Sequence, residues 1–251
     1  MNNLPAISVF IIALNEADRI ADTIESVRGW VDEIIVIDSG SDDDTVKVAE
    51  KHGARVIYHP WQGYGMQKRF GEEQCRNDWV LNLDADEIVS ASLKQEILQA
   101  LPATTHAGFM MNIVEILPGR SEPGIGAHVT RAVRLYRKSC GRYSDSTVHD
   151  RVHMTNGTIG ELTHIVEHRS SRGLMHSLDK INRYSTMQAN DMIQKGMALP
   201  YLRLITEFPV AFLKAYLLRG YALKGTQGFT NAMVYAFSRF IRIAKYLEKR
   251  R

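Results

Sequence analysis

Residues 79–87 read WVLNLDADE, an apolar run interrupted once by Asn82 and closed by three carboxylates, Asp84, Asp86 and Glu87. A short apolar run bounded by polar residues reads as a buried strand. The same grammar recurs upstream, where residues 7–16 read ISVFIIALNE and residues 33–44 read EIIVIDSGSDDD. After the first run, Ile20, Ile24 and Val27 follow at helical spacing. Residues 45–52 and 66–75 read as helices, 54–59 as a strand and 92–101 as a further helix. Alternating strands and helices of this size force parallel pairing with helices on both sheet faces. Residues 1–105 therefore read as a Rossmann-like nucleotide-binding half of an α/β protein.

Beyond that point the alternation stops. Strand-like segments at 108–117, 132–137 and 158–168 are separated by loops bearing Gly and Pro, so 106–173 reads as a mixed second half of the same domain. From residue 174 the spacing is helical. Helices are expected near 174–195, 201–218 and 229–248, separated by Gly196, Pro200, Gly220, Gly225 and Gly228. Residues 174–251 thus form a helical, basic, amphipathic C-terminal region.

The composition, 45% hydrophobic and 24% charged over 251 residues, is that of a globular protein with a sizeable core. Its net charge of +3 conceals an asymmetry. Residues 200–251 carry ten Lys or Arg against only Glu207 and Glu248, whereas the first 199 residues carry 21 basic and 26 acidic side chains. Such a tail is drawn to an anionic surface, and with no nucleic-acid-binding motif present the expected surface is a membrane. Leu202, Ile205, Phe208, Phe212, Tyr216, Phe237, Phe240, Ile241 and Ala244 alternate there with basic residues, a pattern that also suits a protein core or a homo-oligomer contact. Cys75 and Cys140 form no closely spaced pair, which argues against a thiolate metal site or a disulfide framework. Met1–Ala6 lacks a basic leader and no apolar window is long enough to span a bilayer. A cytoplasmic protein, peripheral on the inner face of the membrane, is the expectation.

In open α/β sheets ligands bind beyond the carboxyl ends of the strands. Those ends here deliver Asn15 and Glu16, then Asp38 with Asp42, Asp43 and Asp44, then Asp84, Asp86 and Glu87. So many carboxylates repel one another unless neutralised, and Mg²⁺ or Mn²⁺ bridging them to substrate phosphates is the simplest remedy. The period of an extended chain would put Asp84 and Asp86 on one side, with Ala85 facing away. Asp38 is placed to accept hydrogen bonds from a base or ribose, while Gly40 permits close approach; the competing role, capping the next helix, suits Asp43 or Asp44 better. Lys68 and Arg69 follow the Gly63-Tyr64-Gly65 turn and either supply positive charge to a diphosphate or form a solvated helix face. Arg131, Arg134 and Arg142 face either an anionic acceptor or solvent.

Taken together, residues 12–16 (IALNE), 36–45 (VIDSGSDDDT), 65–69 (GMQKR) and 79–87 resemble the inverting family 2 glycosyltransferases, whose GT-A fold joins a nucleotide-binding half to an acceptor-binding half. The remainder, particularly residues 220–248, is similar to bacterial enzymes that extend the lipopolysaccharide inner core. The resemblance implies a UDP-sugar donor, Asp38 on the uracil or ribose, Asp86 on the metal at the diphosphate and Asp84 on the ribose or metal shell. It implies a lipid-linked saccharide acceptor, with glucose as the expected hexose. It also implies an inverting displacement with a base in the second half, assigned to Asp150 with His149 as partner or alternative and Asp145 as fallback; the chain has Asp at 150 where the group usually has Glu. A nucleotidyltransferase would want a Gly-rich basic loop after the first strand, where this chain has Asn15-Glu16-Ala17-Asp18. A receiver module would leave the DxD strand and the second half unexplained.

Overall fold

The structure, a computed structural model, describes residues 5–116, 122–124, 127–145, 150–170 and 172–250. In chain order the first unit contains β1 (Ile7–Ala13), α1 (Ile20–Val27), β2 (Glu33–Asp38), α2 (Thr45–Lys51), β3 (Arg55–Tyr58), α3 (Tyr64–Gln74), β4 (Trp79–Asp84), β5 (Glu87–Val89), α4 (Ala91–Ala100), β6 (Gly108–Glu115), β7 (Val129–Arg137), β8 (Gly141–Tyr143), β9 (Val152–Met154) and β10 (Ile159–His168). Close contacts group residues 1–116 with 128–170 as this unit, and residues 117–127 with 171–251 as a second.

Eight strands form one sheet in the order β3-β2-β1-β4-β7-β6-β10-β5. The pairs among β3, β2, β1 and β4 are parallel, as the alternation requires. β7 runs antiparallel to both β4 and β6, and β6 pairs parallel with β10. Two reversals restore the direction, so β10 ends on the same sheet edge as β1, β2 and β4. The result is the mixed α/β architecture that the sequence leads one to expect, a mostly parallel sheet followed by C-terminal helices. The register sets Ala13 beside Asp38 and Ile12 beside Asp84, which brings the carboxyl ends level.

Period-two alternation sorts the apolar residues onto two faces. Val9, Ile11, Val36, Leu81 and Leu83 pack with Ile20, Ile24, Leu93 and Ile97 from α1 and α4. Phe10, Ile12, Ile35, Ile37 and Val80 form the opposite core, against which Phe70 of α3 packs. Full burial of each Val, Leu or Ile contributes ~1.5–3 kcal/mol, so this two-sided core dominates the unit's stability. Gly71 lets α3 lie close against β1, since a Cβ there would come within 2.7 Å of the Phe10 ring. That approach carries Lys68, one turn earlier, beneath the strand ends.

The second unit contains α5 (Leu174–Gln194), α6 (Leu202–Leu213) and α7 (Gly225–Lys249). Ala189, Leu199, Ile243, Tyr246 and Leu247 form its core. α6 passes into a wide π turn over Lys214–Leu218, and Tyr221–Lys224 forms a 3₁₀ turn. The expected break near Gly225 and Gly228 is displaced, because α7 begins at Gly225 and includes Gly228. A Cβ at Gly228 would lie 1.9 Å from the Tyr221 carbonyl oxygen, so its absence permits close packing of this turn on the helix. No described helix is long and apolar enough to cross a membrane.

Candidate active site at the strand ends

Lys68 is fully buried on α3, and its Nζ lies 2.8 Å from Asp84 Oδ1 while donating to Asp150 Oδ2 at 2.5 Å. The contact with Asp84 is a buried ion pair. Burial and the nearby Arg134 charge disfavour the ammonium, but Asp84, Tyr143 and Asp150 outweigh them and hold its pKa above the ordinary lysine value. Of the two readings of Lys68, the solvated helix face is therefore excluded. Lys68 links the end of β4 to the loop before β9.

Arg134, on β7, completes the cluster. Its Nη2 donates to Asp84 Oδ2 at 3.2 Å and Glu87 Oε1 at 3.0 Å, and its Nη1 donates to Asn82 Oδ1. Tyr143 also donates to Asn82 Oδ1, at 2.7 Å, and Glu87 Oε2 accepts from the Asp84 amide at 2.9 Å. Burial acts to raise the Asp84 pKa, yet Lys68 and Arg134 prevail and hold it well below the usual carboxylate range. For Glu87 burial wins and pushes the pKa up despite Arg134. Arg134 thus faces the nucleotide-half carboxylates, whereas Arg131 pairs with Glu161 and Arg142 with Glu72 and Glu73.

Asp86 has different partners. β4 ends at Asp84 and residues 85–86 form a turn, so the alternation expected to align Asp84 with Asp86 does not extend that far. Asp86 Oδ2 lies 3.3 Å from Arg19 Nη1 and 3.4 Å from His168 Nε2. Arg19 also contacts Glu16 Oε2 at 3.3 Å, and the turn is held by Arg169 N to Asp86 O at 2.9 Å and Thr23 Oγ1 to Ala85 O at 2.8 Å. The hydrogen bond with Asp86 raises the His168 pKa against the opposing effect of burial.

The β1 and β2 loops brace each other. Asn15 adopts φ of 58°, a left-handed conformation that Asn tolerates, and its Oδ1 accepts from the Asp42 amide at 2.9 Å. The amides of Asn15 and Glu16 donate to Ser41 Oγ and Thr45 Oγ1 at 2.9 and 2.7 Å. Asp38 is buried and accepts from the Gly40 and Ser41 amides and from Ser41 Oγ, so its carboxylate organises its own loop. Asp43 accepts from the Thr45 amide at 2.9 Å beside the start of α2, while the N-cap residue Asp44 makes no side-chain cap hydrogen bond.

Arg69 Nη1 stands 3.7 Å from Asp145 Oδ2 at the α3 end of this region. His149 lies outside the described residues. Sequence reasoning brought Lys68, Asp84 and Asp150 into one account and the structure brings them into one cluster, with Asp86 on separate partners. It missed Asn82, Tyr143, Arg19 and His168 as site residues. His168 was within reach of the strand-end rule, being the last residue of β10; the antiparallel step through β7 is what hid the common direction.

Asp86 Oδ2 offers a cation one hard oxygen donor, with the His168 imidazole 3.4 Å away and Arg19 already paired to it at 3.3 Å. Among the described residues no group of three or more His, Cys, Asp or Glu is arranged to hold one. At Asp84 the neutralising charge comes from Lys68 and Arg134.

The sequence profile of Glycosyl transferase family 2 matches residues 8–161. An uncharacterized glycosyltransferase of Rickettsia felis is 40% identical over 253 residues, covering 96% of this chain and 89% of its own. The lipopolysaccharide core biosynthesis glycosyltransferase LpsC of Rhizobium meliloti is 32% identical over 251 residues, covering 97% and 92%. A solved glucosyl-3-phosphoglycerate synthase from Mycobacterium tuberculosis shares 30% identity over 46% of this chain and 45% of its own, at a TM-score of 0.36.

Proposed function

The chain belongs to Glycosyl transferase family 2, and on that premise we propose that it transfers a hexose, glucose first among candidates, from a UDP-sugar to a saccharide of the lipopolysaccharide inner core with inversion. The observation that carries this reading is Lys68, whose ammonium joins Asp84 at the nucleotide-half strand end to Asp150 in the second half. In this account Asp38 and its loop receive the uracil or ribose, with Asn15 and Glu16 bracing that loop. Asp84, oriented by Lys68 and Arg134, meets the ribose or the metal shell. Asp86, with His168, would hold Mg²⁺ or Mn²⁺. The cation would supply charge stabilisation to the departing diphosphate. Arg69 adds positive charge at the α3 end, available to the donor phosphates.

Asp150 is the proposed base, removing the proton from the attacking hydroxyl as the bond between sugar and diphosphate breaks. Lys68 fixes Asp150 through Oδ2, which orients the carboxylate before substrate arrives. His149 is the alternative base. The LpsC relative supports a lipopolysaccharide core acceptor; another lipid-linked or polysaccharide acceptor is the second reading.

The proposed membrane contact uses the second unit. Ile205, Leu218 and Leu223 are 74%, 81% and 79% exposed, among Lys214, Arg219 and Lys224. Apolar insertion and attraction to anionic lipid then add, at the inner face of the membrane.

The test is transfer from a panel of labelled UDP-hexoses to truncated lipopolysaccharide, comparing wild type with Asp150→Asn. The reading expects one preferred donor and loss of transfer, with UDP binding retained, in the variant. No transfer from any UDP-hexose would overturn the donor assignment, and unchanged turnover would remove Asp150 as base.

A further inference from the structure

The helical unit holds a concentration of positive charge around one buried carboxylate. Glu207 on α6 is buried and meets three guanidinium groups. Arg203 Nε lies 2.9 Å from Oε2, Arg239 Nε 2.9 Å from Oε1, and Arg242 Nη2 3.7 Å from that same Oε1. One carboxylate therefore faces three cations, a surplus of two. Arg239 and Arg242 also line a cleft of about 450 Å³ walled by α5 and α7, together with Gln188, Tyr184, Ile181 and Val234, and among the described residues no carboxylate lines it.

Arg242 is the least satisfied of the three. Its side chain is 17% exposed, and its Nε is buried without a hydrogen-bond partner. Burial, and then repulsion from Arg239, hold its pKa below the ordinary guanidinium value. A buried charged donor without an acceptor is destabilising, and a positive surplus between low-dielectric walls draws an anion. A guanidinium fork matches phosphate geometry, the Gln188 amide adds a neutral donor, and a phosphate monoester carries nearly the two charges left over. The apolar walls suit whatever bears the phosphate.

We propose that the cleft between α5 and α7 is an anion site that takes a phosphate group, borne by a phosphorylated saccharide or by a lipid headgroup. The cleft lies wholly within the second unit, and an anion there does not depend on the glycosyl-transfer assignment.

Calorimetric titration of the full chain with inorganic phosphate, at ionic strength matched with chloride, tests it. The wild type is expected to bind phosphate, and Arg242→Gln to bind at least roughly tenfold more weakly, with UDP binding unaltered. Glu207→Gln, which removes the competing carboxylate, is expected to tighten phosphate binding; this variant keeps the test decisive if Arg242→Gln does not fold. Equal phosphate binding by wild type and Arg242→Gln, no binding by either, or weaker binding by Glu207→Gln would overturn the proposal. Vesicles of phosphatidylcholine with and without phosphatidic acid distinguish the source. Flotation that depends on both phosphatidic acid and Arg242 identifies a headgroup, whereas Arg242-dependent phosphate binding without such flotation identifies a soluble phosphorylated compound.

Discussion

Replacing Lys68 by Met removes the cation between Asp84 and Asp150 while nearly conserving side-chain length and apolar volume. Removing one partner of a buried ion pair costs ~3–5 kcal/mol. The lower end applies here, because Asp84 keeps Arg134 and the Asp150 side chain is 36% exposed and can rehydrate. A loss of about 3 kcal/mol is expected, and adding Asp150→Asn should recover part of it, giving a coupling of ~1–3 kcal/mol in the double-mutant cycle. Trp30, Trp61 and Trp79 all lie in the first unit, so tryptophan fluorescence in a urea titration reports that unit alone. The lysine pKa is raised above its ordinary 10.5, so this contribution is fully present below that value and disappears only as pH rises through the higher folded one. The cost should then be constant from about pH 6 to about pH 9. A loss below about 0.5 kcal/mol, or additive behaviour of the two substitutions, would refute the bridging role.

Glu96 accepts from the Thr163 amide and hydroxyl and from the His164 amide, at 2.8 to 3.0 Å, and these bonds prevail over burial to lower its pKa. Its contribution is therefore present above the ordinary 4.5 and lost as pH falls through the lower folded value; Glu96→Gln should cost ~1–2 kcal/mol at neutral pH and progressively less in an acid titration through that window. Gly228→Ala forces a methyl group against the Tyr221 carbonyl and should destabilise the helical unit by ~1–3 kcal/mol, read by far-UV circular dichroism with the tryptophan transition unchanged. Changing Ile205, Leu218 and Leu223 together to Ser should abolish flotation with anionic vesicles while leaving donor binding intact; unchanged flotation would contradict docking through these residues.

The first four strands were legible because each is a β-branched or apolar run closed by polar residues, and their parallel order followed from the intervening helices. β5, β8 and β9 escaped because each is only three residues long, too short for a period to register. The strand-end rule brought Asp38, Asp84 and Asp86 forward, but it could not reveal that Asp84 and Asp86 have different partners, since that depends on where β4 stops and the chain turns. For Lys68 the sequence left a phosphate-facing cation and a solvated helix face as alternatives. What buries it is Gly71 admitting α3 against Phe10, together with a carboxylate more than eighty residues away in sequence, and no local pattern encodes that pairing. Arg134 was visible as a basic residue, but its partners Asp84 and Glu87 are set by the antiparallel insertion of β7 beside β4.

Titration of UDP into wild type and Asp86→Asn, each with and without Mn²⁺, addresses the nucleotide and metal assignments together. Mn²⁺ is expected to tighten UDP binding to the wild type by at least about tenfold, and Asp86→Asn to lose this gain while folding normally. UDP affinity that is the same with and without Mn²⁺ in the wild type, or a gain that survives in Asp86→Asn, would contradict these assignments.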